Sequence, residues 1–137
     1  MSLALNIRKA GPLAASALAL SLMLSVVPDA MSKEIVSSGT FYGQSDHVVT
    51  GKVTIEKDGD KTYVVLGPGF TLDGAPAPTL GFGNGEKFDV KTEFTKLKSH
   101  NGAQRYEVPK NILVSAYDTF TVWCSKFSIP LGSAKLS

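Results

Sequence analysis

The chain has 137 residues, with 14 basic and 12 acidic side chains, a formal net charge of +2 at pH 7 and one cysteine. A charge so close to zero gives no electrostatic footprint for nucleic acid or an anionic membrane surface, so no nucleic-acid partner is expected. The length suits one domain, and a single cysteine excludes a framework of internal disulfides.

The first 32 residues have the three parts of a secretory signal. Arg8 and Lys9 precede a long stretch of apolar and small residues, and Ala30 and Ser32 are small residues suited to cleavage. Residues 1–32 are therefore predicted to be a signal peptide, cleaved after Ala30 or after Ser32. An uncleaved anchor is the alternative, because the apolar stretch approaches the length of a membrane span.

The mature chain, residues 33–137, is predicted to be one all-β domain that is periplasmic or secreted and keeps no stable membrane anchor. Short β-branched and aromatic runs alternate with turn residues at intervals of about ten residues. Val49, Val53 and Ile55 share one side of a predicted hairpin over residues 48–66. Further predicted elements are a loop or edge over 70–85 with a short strand at 79–82, a strand or helical turn over 88–97, a strand over 103–108, a 3₁₀ segment within 111–117, and strands over 119–124 and 127–131. Seven to nine short strands of this kind predict an antiparallel β-sandwich or partly closed barrel.

The two histidines and the acidic hairpin turn offer little chemistry by themselves. His47 and His100 lack a second ligand at metal spacing, and a transition-metal site would need both to converge with Cys124. No metal site is therefore predicted. Asp58 and Asp60 lie in a charged turn, where solvated carboxylates are expected rather than an acid/base pair.

Cys124 is the residue with the most chemical potential. A lone thiol in an oxidising compartment is either buried and inert or kept for its sulfur chemistry. Nucleophilic catalysis would need a neighbouring base, and nothing in the sequence places either histidine there, so enzymatic activity stays uncertain.

The strand register around Cys124 has two solutions. Inward Phe120 and Val122 put Cys124 inward as well, and a bulge near residues 125–126 would then switch the parity of the chain. In the alternative, Cys124 faces outward beside Lys126, whose ammonium would make the thiol reactive. The core face would then consist of Trp123, Phe127, Ile129 and Leu131.

Three segments carry a family resemblance. They are 122–124 with the apolar positions that follow it, the opening 39–43, and 101–109. Together they resemble the DM-thirteen domain, the electron-transfer domain also found in Skeletor-type animal proteins, over residues 39–136. The family's middle segment usually has an acidic residue that 74–80 lacks.

The resemblance implies a β-sandwich related to extracellular haem- and sugar-binding domains, with a redox role for Cys124. The expected function is an exported redox or electron-transfer domain using Cys124 as a bare thiol or as the ligand of a prosthetic group, with haem as one candidate. Its partner would be an unidentified redox or other protein outside the cytoplasm. The alternative is a non-catalytic binding or adhesion module with a structural cysteine, gripping its partner through an edge strand or residues 70–85. A thiol enzyme is a third hypothesis.

Tyr106 is predicted to be a core residue rather than a ligand contact.

Overall fold

The computed structural model describes residues 33–137, so the predicted signal at 1–32 lies outside the described residues. This part of the chain forms eleven β-strands and two short 3₁₀ turns. The strands are β1 (Lys33–Gly43), β2 (Val49–Thr50), β3 (Lys52–Asp58), β4 (Lys61–Leu66), β5 (Thr71–Leu72), β6 (Pro78–Asn84), β7 (Lys87–Phe88), β8 (Thr95–Lys96), β9 (Gln104–Val108), β10 (Thr119–Cys124) and β11 (Ile129–Lys135). The 3₁₀ turns span Val90–Thr92 and Val114–Ala116. Among residues 33–137 no helix is long and apolar enough to cross a membrane.

One large antiparallel sheet dominates the architecture. Its strands are hydrogen-bonded in the order β7-β6-β10-β11-β1-β3-β4-β9, while β8 pairs with β6, and β2 and β5 form a separate small sheet. The large sheet curls into a half-barrel. The predicted all-β class is confirmed, and of the two predicted forms the partly closed barrel describes it better. The strands outnumber the prediction because several are only two residues long.

The core lies inside the half-barrel and is centred on four phenylalanines. Phe70, Phe82 and Phe120 are completely buried, and Phe41 is 6% exposed. The ring centroids of Phe41 and Phe70 are 5.3 Å apart, as are those of Phe82 and Phe120. Edge-to-face contacts of this kind are favoured by the quadrupoles of the rings. Each buried ring contributes about 1.5–3 kcal/mol through the apolar area it removes from water.

The hairpin predicted over residues 48–66 is confirmed over 52–66, as β3 paired with β4, whereas residues 49–50 form β2, which pairs with β5 instead. Asp58 is opposite Lys61, and Gly59 in the intervening turn has φ of +67°, a conformation in which a side chain is strained. Val53 and Ile55 point into the core as predicted, and so does Val49 in β2.

The glycine- and proline-rich region at residues 70–85 is more ordered than predicted. Its strand is β6, which is longer than 79–82 and lies inside the sheet, with β10 on one side and β7 and β8 on the other. A Cβ at Gly81 would lie 2.7 Å from ring atoms of Phe88, so only glycine allows Phe88 to pack there. Residues 73–77 remain a loop.

Candidate functional site

Cys124 is the last residue of β10 and points into the core. The alternating residues Phe120, Val122 and Cys124 are 0%, 0% and 1% exposed, whereas Trp123 between them is only partly buried. This arrangement confirms the inward register. The alternative core face, with Cys124 turned outward, is therefore wrong.

The chain leaves the sheet directly after Cys124. Ser128 N–H donates to the carbonyl oxygen of Cys124 at 2.8 Å, which closes a turn, and Ser128 has φ of +54°. Phe127 was predicted to be buried, but it is 59% exposed because this turn carries it into solvent. The β10–β11 pairing also shifts between Val122 and Trp123, so that Leu131 on β11 is the extra residue. The predicted change of parity thus exists, but it comes from a turn and a shift in the partner strand.

The thiol lies under a loop segment from a distant part of the sequence. Cys124 Sγ–H donates to the carbonyl oxygen of Pro76 at 3.4 Å, across 48 residues of sequence. Ser125 Oγ–H donates to the carbonyl oxygen of Ala77 at 3.2 Å, which fixes the same loop to the strand end. We call residues 74–77 the strap. Pro76 and Ala77 are exposed while the sulfur that contacts Pro76 is buried, so a shift of the strap would be one way to expose the thiol.

The outer face of the same strand end carries an aromatic pair. The rings of Phe88 and Trp123 stack with centroids 4.2 Å apart and planes 14° apart. Both side chains are half-buried. The thiol and the aromatic pair therefore occupy opposite faces of one strand end, because Trp123 and Cys124 are adjacent in the chain.

The two histidines do not lie in a cluster of side chains that could ligate a metal ion. His47 Nδ1 lies 2.9 Å from Asp73 Oδ1, while Val48 N–H donates to Asp73 Oδ2 at 2.9 Å. The hydrogen bond with His47, followed by that from Val48 N–H, lowers the pKa of Asp73 below its usual value. His100 is exposed. Within residues 33–137 no three His, Cys, Asp or Glu side chains meet as a metal site would require, so the structure does not bring Cys124, His47 and His100 together.

The other residues singled out in the sequence have structural roles. Two surface ion pairs involve the aspartates of the hairpin turn. Arg105 Nη2 lies 3.7 Å from Asp58 Oδ2, and Lys110 Nζ lies 2.9 Å from Asp60 Oδ2. The hydrogen bond and charge of Lys110 lower the pKa of Asp60. Tyr106 is 4% exposed, which confirms the prediction that it belongs to the core.

A haem-sized group does not fit beside Cys124 as the chain is packed. Ligation of a haem iron by Cys124 would need open space beside the sulfur, but Cys124 is 1% exposed and its Sγ lies against the Pro76 carbonyl. Cys124 does not line either of two cavities found among residues 33–137, of about 560 and 440 Å³. The sulfur of Cys124 is thus enclosed by the core and the Pro76 carbonyl, with no room for a haem beside it.

Comparison with protein-family models shows which family this chain belongs to. A family model described as "Electron transfer DM13" matches residues 40–136. The chain belongs to the electron transfer DM13 family. No curated protein and no solved structure gives a significant match. Membership in the DM13 family confirms the resemblance seen in the sequence and supports a redox or electron-transfer role.

Two residues of the candidate site were not found from the sequence. Pro76, which accepts the thiol hydrogen bond, and Phe88, which stacks on Trp123, both come from segments far from β10 in the chain. The only hint was the glycine at position 81, whose missing side chain leaves room for the Phe88 ring.

Proposed function

We propose that this protein is an exported DM13 electron-transfer domain in which the Cys124 thiol is the redox-active group. Family membership supports the electron-transfer part of the proposal. The observation that carries the role of Cys124 is its placement: an inward thiol at the very end of β10, under a strap attached by few hydrogen bonds. A thiol deep in the middle of the sheet would be reached only by unfolding the domain.

The composition of the mature region narrows the choice of redox group. Residues 33–137 contain no methionine and one cysteine, so no disulfide can form within the chain. The described residues contain no cluster suited to a metal ion. Cys124 is then the one side chain of this region that can take part in thiol–disulfide chemistry.

A single cysteine restricts the reaction to exchange with a partner. The deprotonated sulfur of Cys124 attacks one sulfur of a partner's disulfide, a new S–S bond forms, and the partner's own S–S bond breaks. The partner's leaving thiolate takes up the proton that Cys124 gave to solvent. Since this chain has no second cysteine to resolve the mixed disulfide, a further thiol of the partner system must displace Cys124.

The exchange reaction tests this role directly. Native protein is incubated with oxidised glutathione as a disulfide of known reactivity, and intact mass reports the mixed disulfide. We expect the folded wild type to form the adduct, and Cys124→Ser, whose hydroxyl can donate to the same Pro76 carbonyl, to form none while keeping its fold. Adduct formation only under denaturing conditions would contradict the proposal and favour a binding or adhesion module with a structural cysteine.

Export is part of the same proposal and is supported by the pattern of residues 1–32. Expression of the full chain in a bacterial host, followed by intact mass of the periplasmic fraction, tests it. A mature protein beginning at Met31 or Lys33 is the expected result. Full-length protein in the membrane fraction would instead support an uncleaved anchor.

The alternative in which residues 70–85 grip a partner has less support. Phe70 and Leu72 are core residues, and residues 79–83 are buried in β6. The longest stretch of this segment outside a strand is the short loop at 73–77, whose Pro76 carbonyl contacts Cys124.

A further inference from the structure

A cavity of about 560 Å³ opens at the end of the half-barrel opposite to Cys124. Asp118, just before β10, and Leu136, just after β11, line this cavity, whereas Cys124 ends β10 on the other side. Six residues of strand at about 3.4 Å each separate the two ends by roughly 20 Å. The cavity is therefore a second site, and its role does not depend on the role of Cys124.

The wall of the cavity is mainly apolar and includes side chains that remain in water. Prominent members are Val36, Ile55, Val108, Ile112, Leu113 and Leu136. Leu113 is 67% exposed and Val36 is 51% exposed, although both lie on the cavity. A ligand that covered them would remove apolar surface from water, which is favourable by about 25 cal/mol for each Å².

Two local features position parts of the cavity wall. A register shift in the β1–β3 pairing between Ile35 and Ser37 leaves Val36 as the extra residue, and bulges of this kind redirect side chains beside sites. On the other side, Tyr117 O–H donates to Asp89 Oδ2 at 2.7 Å, which ties the 3₁₀ segment bearing Leu113 to the body of the domain. This hydrogen bond lowers the pKa of Asp89 and raises that of Tyr117. The volume is within the range of sites that bind small molecules.

The charged side chains along the cavity leave one cation available. Lys110 and Asp60 pair with each other at 2.9 Å. Asp118 Oδ1 accepts hydrogen bonds from Gly85 N–H at 2.8 Å and from Thr119 Oγ1 at 2.7 Å, so this carboxylate is already bound. Among residues 33–137, Lys57 makes no ion pair within 4 Å, although Glu34 is opposite it in the sheet register. Lys57 lies on the same face of β3 as Ile55 and lines the cavity.

We infer that this cavity binds an amphipathic anion, a molecule with an apolar chain or ring system and one carboxylate-type group. The apolar part would lie against Ile55, Val108 and Leu136, with Leu113 folding over it. The anionic group would accept a charge-assisted hydrogen bond from the Lys57 ammonium. Because Lys57 is exposed at the rim of the cavity, both charged groups would stay partly solvated. An apolar wall with one convergent polar group is the usual composition of such a site.

The probe is sodium dodecanoate, used below its micellar concentration with the purified protein. We expect saturable one-to-one binding by calorimetry, with amide NMR shifts concentrated at Ile55, Val108 and Leu136. Leu113→Ser and Lys57→Glu should each raise the Kd for dodecanoate roughly fivefold or more, which corresponds to about 1 kcal/mol of binding free energy. Both substituted side chains are exposed, so matched thermal midpoints can show that the fold is kept.

Matched controls separate this site from general hydrophobic binding. Val90→Ser changes a side chain of similar exposure (62%) elsewhere on the surface, and Lys87→Glu reverses a charge on β7; both should bind like the wild type. Cys124→Ser should also bind normally, so failure of the redox proposal would leave this result unaffected. Three results would each overturn the inference. The first is that dodecyltrimethylammonium binds as tightly as dodecanoate, and the second is that Lys57→Glu leaves dodecanoate binding unchanged. The third is that dodecanoate shows no saturable binding because the protein forms a dimer through this face.

Discussion

The ring of Phe88 lies flat on the indole of Trp123, with centroids 4.2 Å apart and planes 14° apart, on the outer side of the strand end that carries Cys124 on its inner side. Trp123 is the only tryptophan in the chain. Its fluorescence therefore reports on the residue next to the thiol. Any change that disturbs the packing of Phe88 should be visible in that signal.

Gly81→Ala tests the packing that supports the aromatic pair. The new Cβ would lie 2.7 Å from Cε1 and Cζ of Phe88 and 3.0 Å from Thr92 Oγ1, so the ring must move. We expect a loss of about 1–3 kcal/mol in the free energy of unfolding, as for other overpacked sites, together with a shifted Trp123 emission. Gly69→Ala is the control, since a Cβ there meets nothing within 4 Å. Identical urea midpoints for the two variants would mean that Phe88 does not pack as described.

Tyr106 combines core packing with two hydrogen bonds. Its hydroxyl donates to Gln104 Oε1 and accepts from Lys98 N–H at 2.9 Å, while its ring is 4% exposed. Tyr106→Ala should cost about 3 kcal/mol or more, because it removes a buried ring. Tyr106→Phe should cost less, about 1–3 kcal/mol, because it keeps the ring but leaves the Lys98 N–H without its acceptor and Gln104 Oε1 without one donor. Urea unfolding gives both values, and an unchanged midpoint for the alanine variant would place the ring outside the core.

Asp118 should contribute to stability in a pH-dependent way. Hydrogen bonds from Gly85 N–H and from Thr119 lower its pKa in the folded state below the ordinary value of 3.8. A carboxyl group with a depressed folded pKa stabilises the protein above its unfolded pKa, and that contribution is lost as pH falls through the folded pKa. Asp118→Asn should therefore lower stability at pH 7 and lose less of it on acidification than the wild type. Glu86→Gln, an exposed change in the loop between β6 and β7, serves as the control. If the Asp118→Asn variant lost stability on acidification as steeply as the wild type, the assignment would be contradicted.

Much of the fold follows from local patterns in the sequence. The β3–β4 hairpin is predictable because Val53 and Ile55 alternate with polar residues and Gly59 supplies the turn. The inward direction of Cys124 is one of only two registers that the alternation of β10 permits. The DM13 resemblance also comes from the sequence, since the Trp123–Cys124 segment and its apolar followers are in the region that the family model matches.

The rest depends on contacts between distant segments. The alternation of Phe127 with Ile129 and Leu131 predicted that Phe127 belongs to the core, but a turn with a positive φ at Ser128 interrupts the alternation. The contact between Cys124 and Pro76 spans 48 residues and uses a backbone carbonyl, which no side-chain pattern reveals. The cavity beside Lys57 is lined by residues from several strands and loops, so its existence depends on how the half-barrel curls.

Ser125→Ala should loosen the strap without unfolding the domain. It removes the hydrogen bond from Ser125 Oγ–H to the Ala77 carbonyl at 3.2 Å, at an exposed position. If the strap opens locally, losing one net hydrogen bond of about 1 kcal/mol should raise the rate of Cys124 alkylation in the native protein roughly fivefold. Ser115→Ala, on the far 3₁₀ turn, should leave the rate unchanged. Equal rates in the two variants would show that this contact does not restrain access to the thiol.

The most direct test of a functional thiol is the rate of Cys124 alkylation by iodoacetamide measured across a series of urea concentrations below the unfolding transition. Local opening of residues 74–77 exposes little surface, so we expect a rate that hardly depends on urea at low concentration and exceeds the rate that global unfolding permits. That result would show that Cys124 can react while the DM13 domain stays folded. A rate that follows the global free energy of unfolding over the whole range would mean that the thiol is reached only by unfolding, and Cys124 would then be a structural core residue.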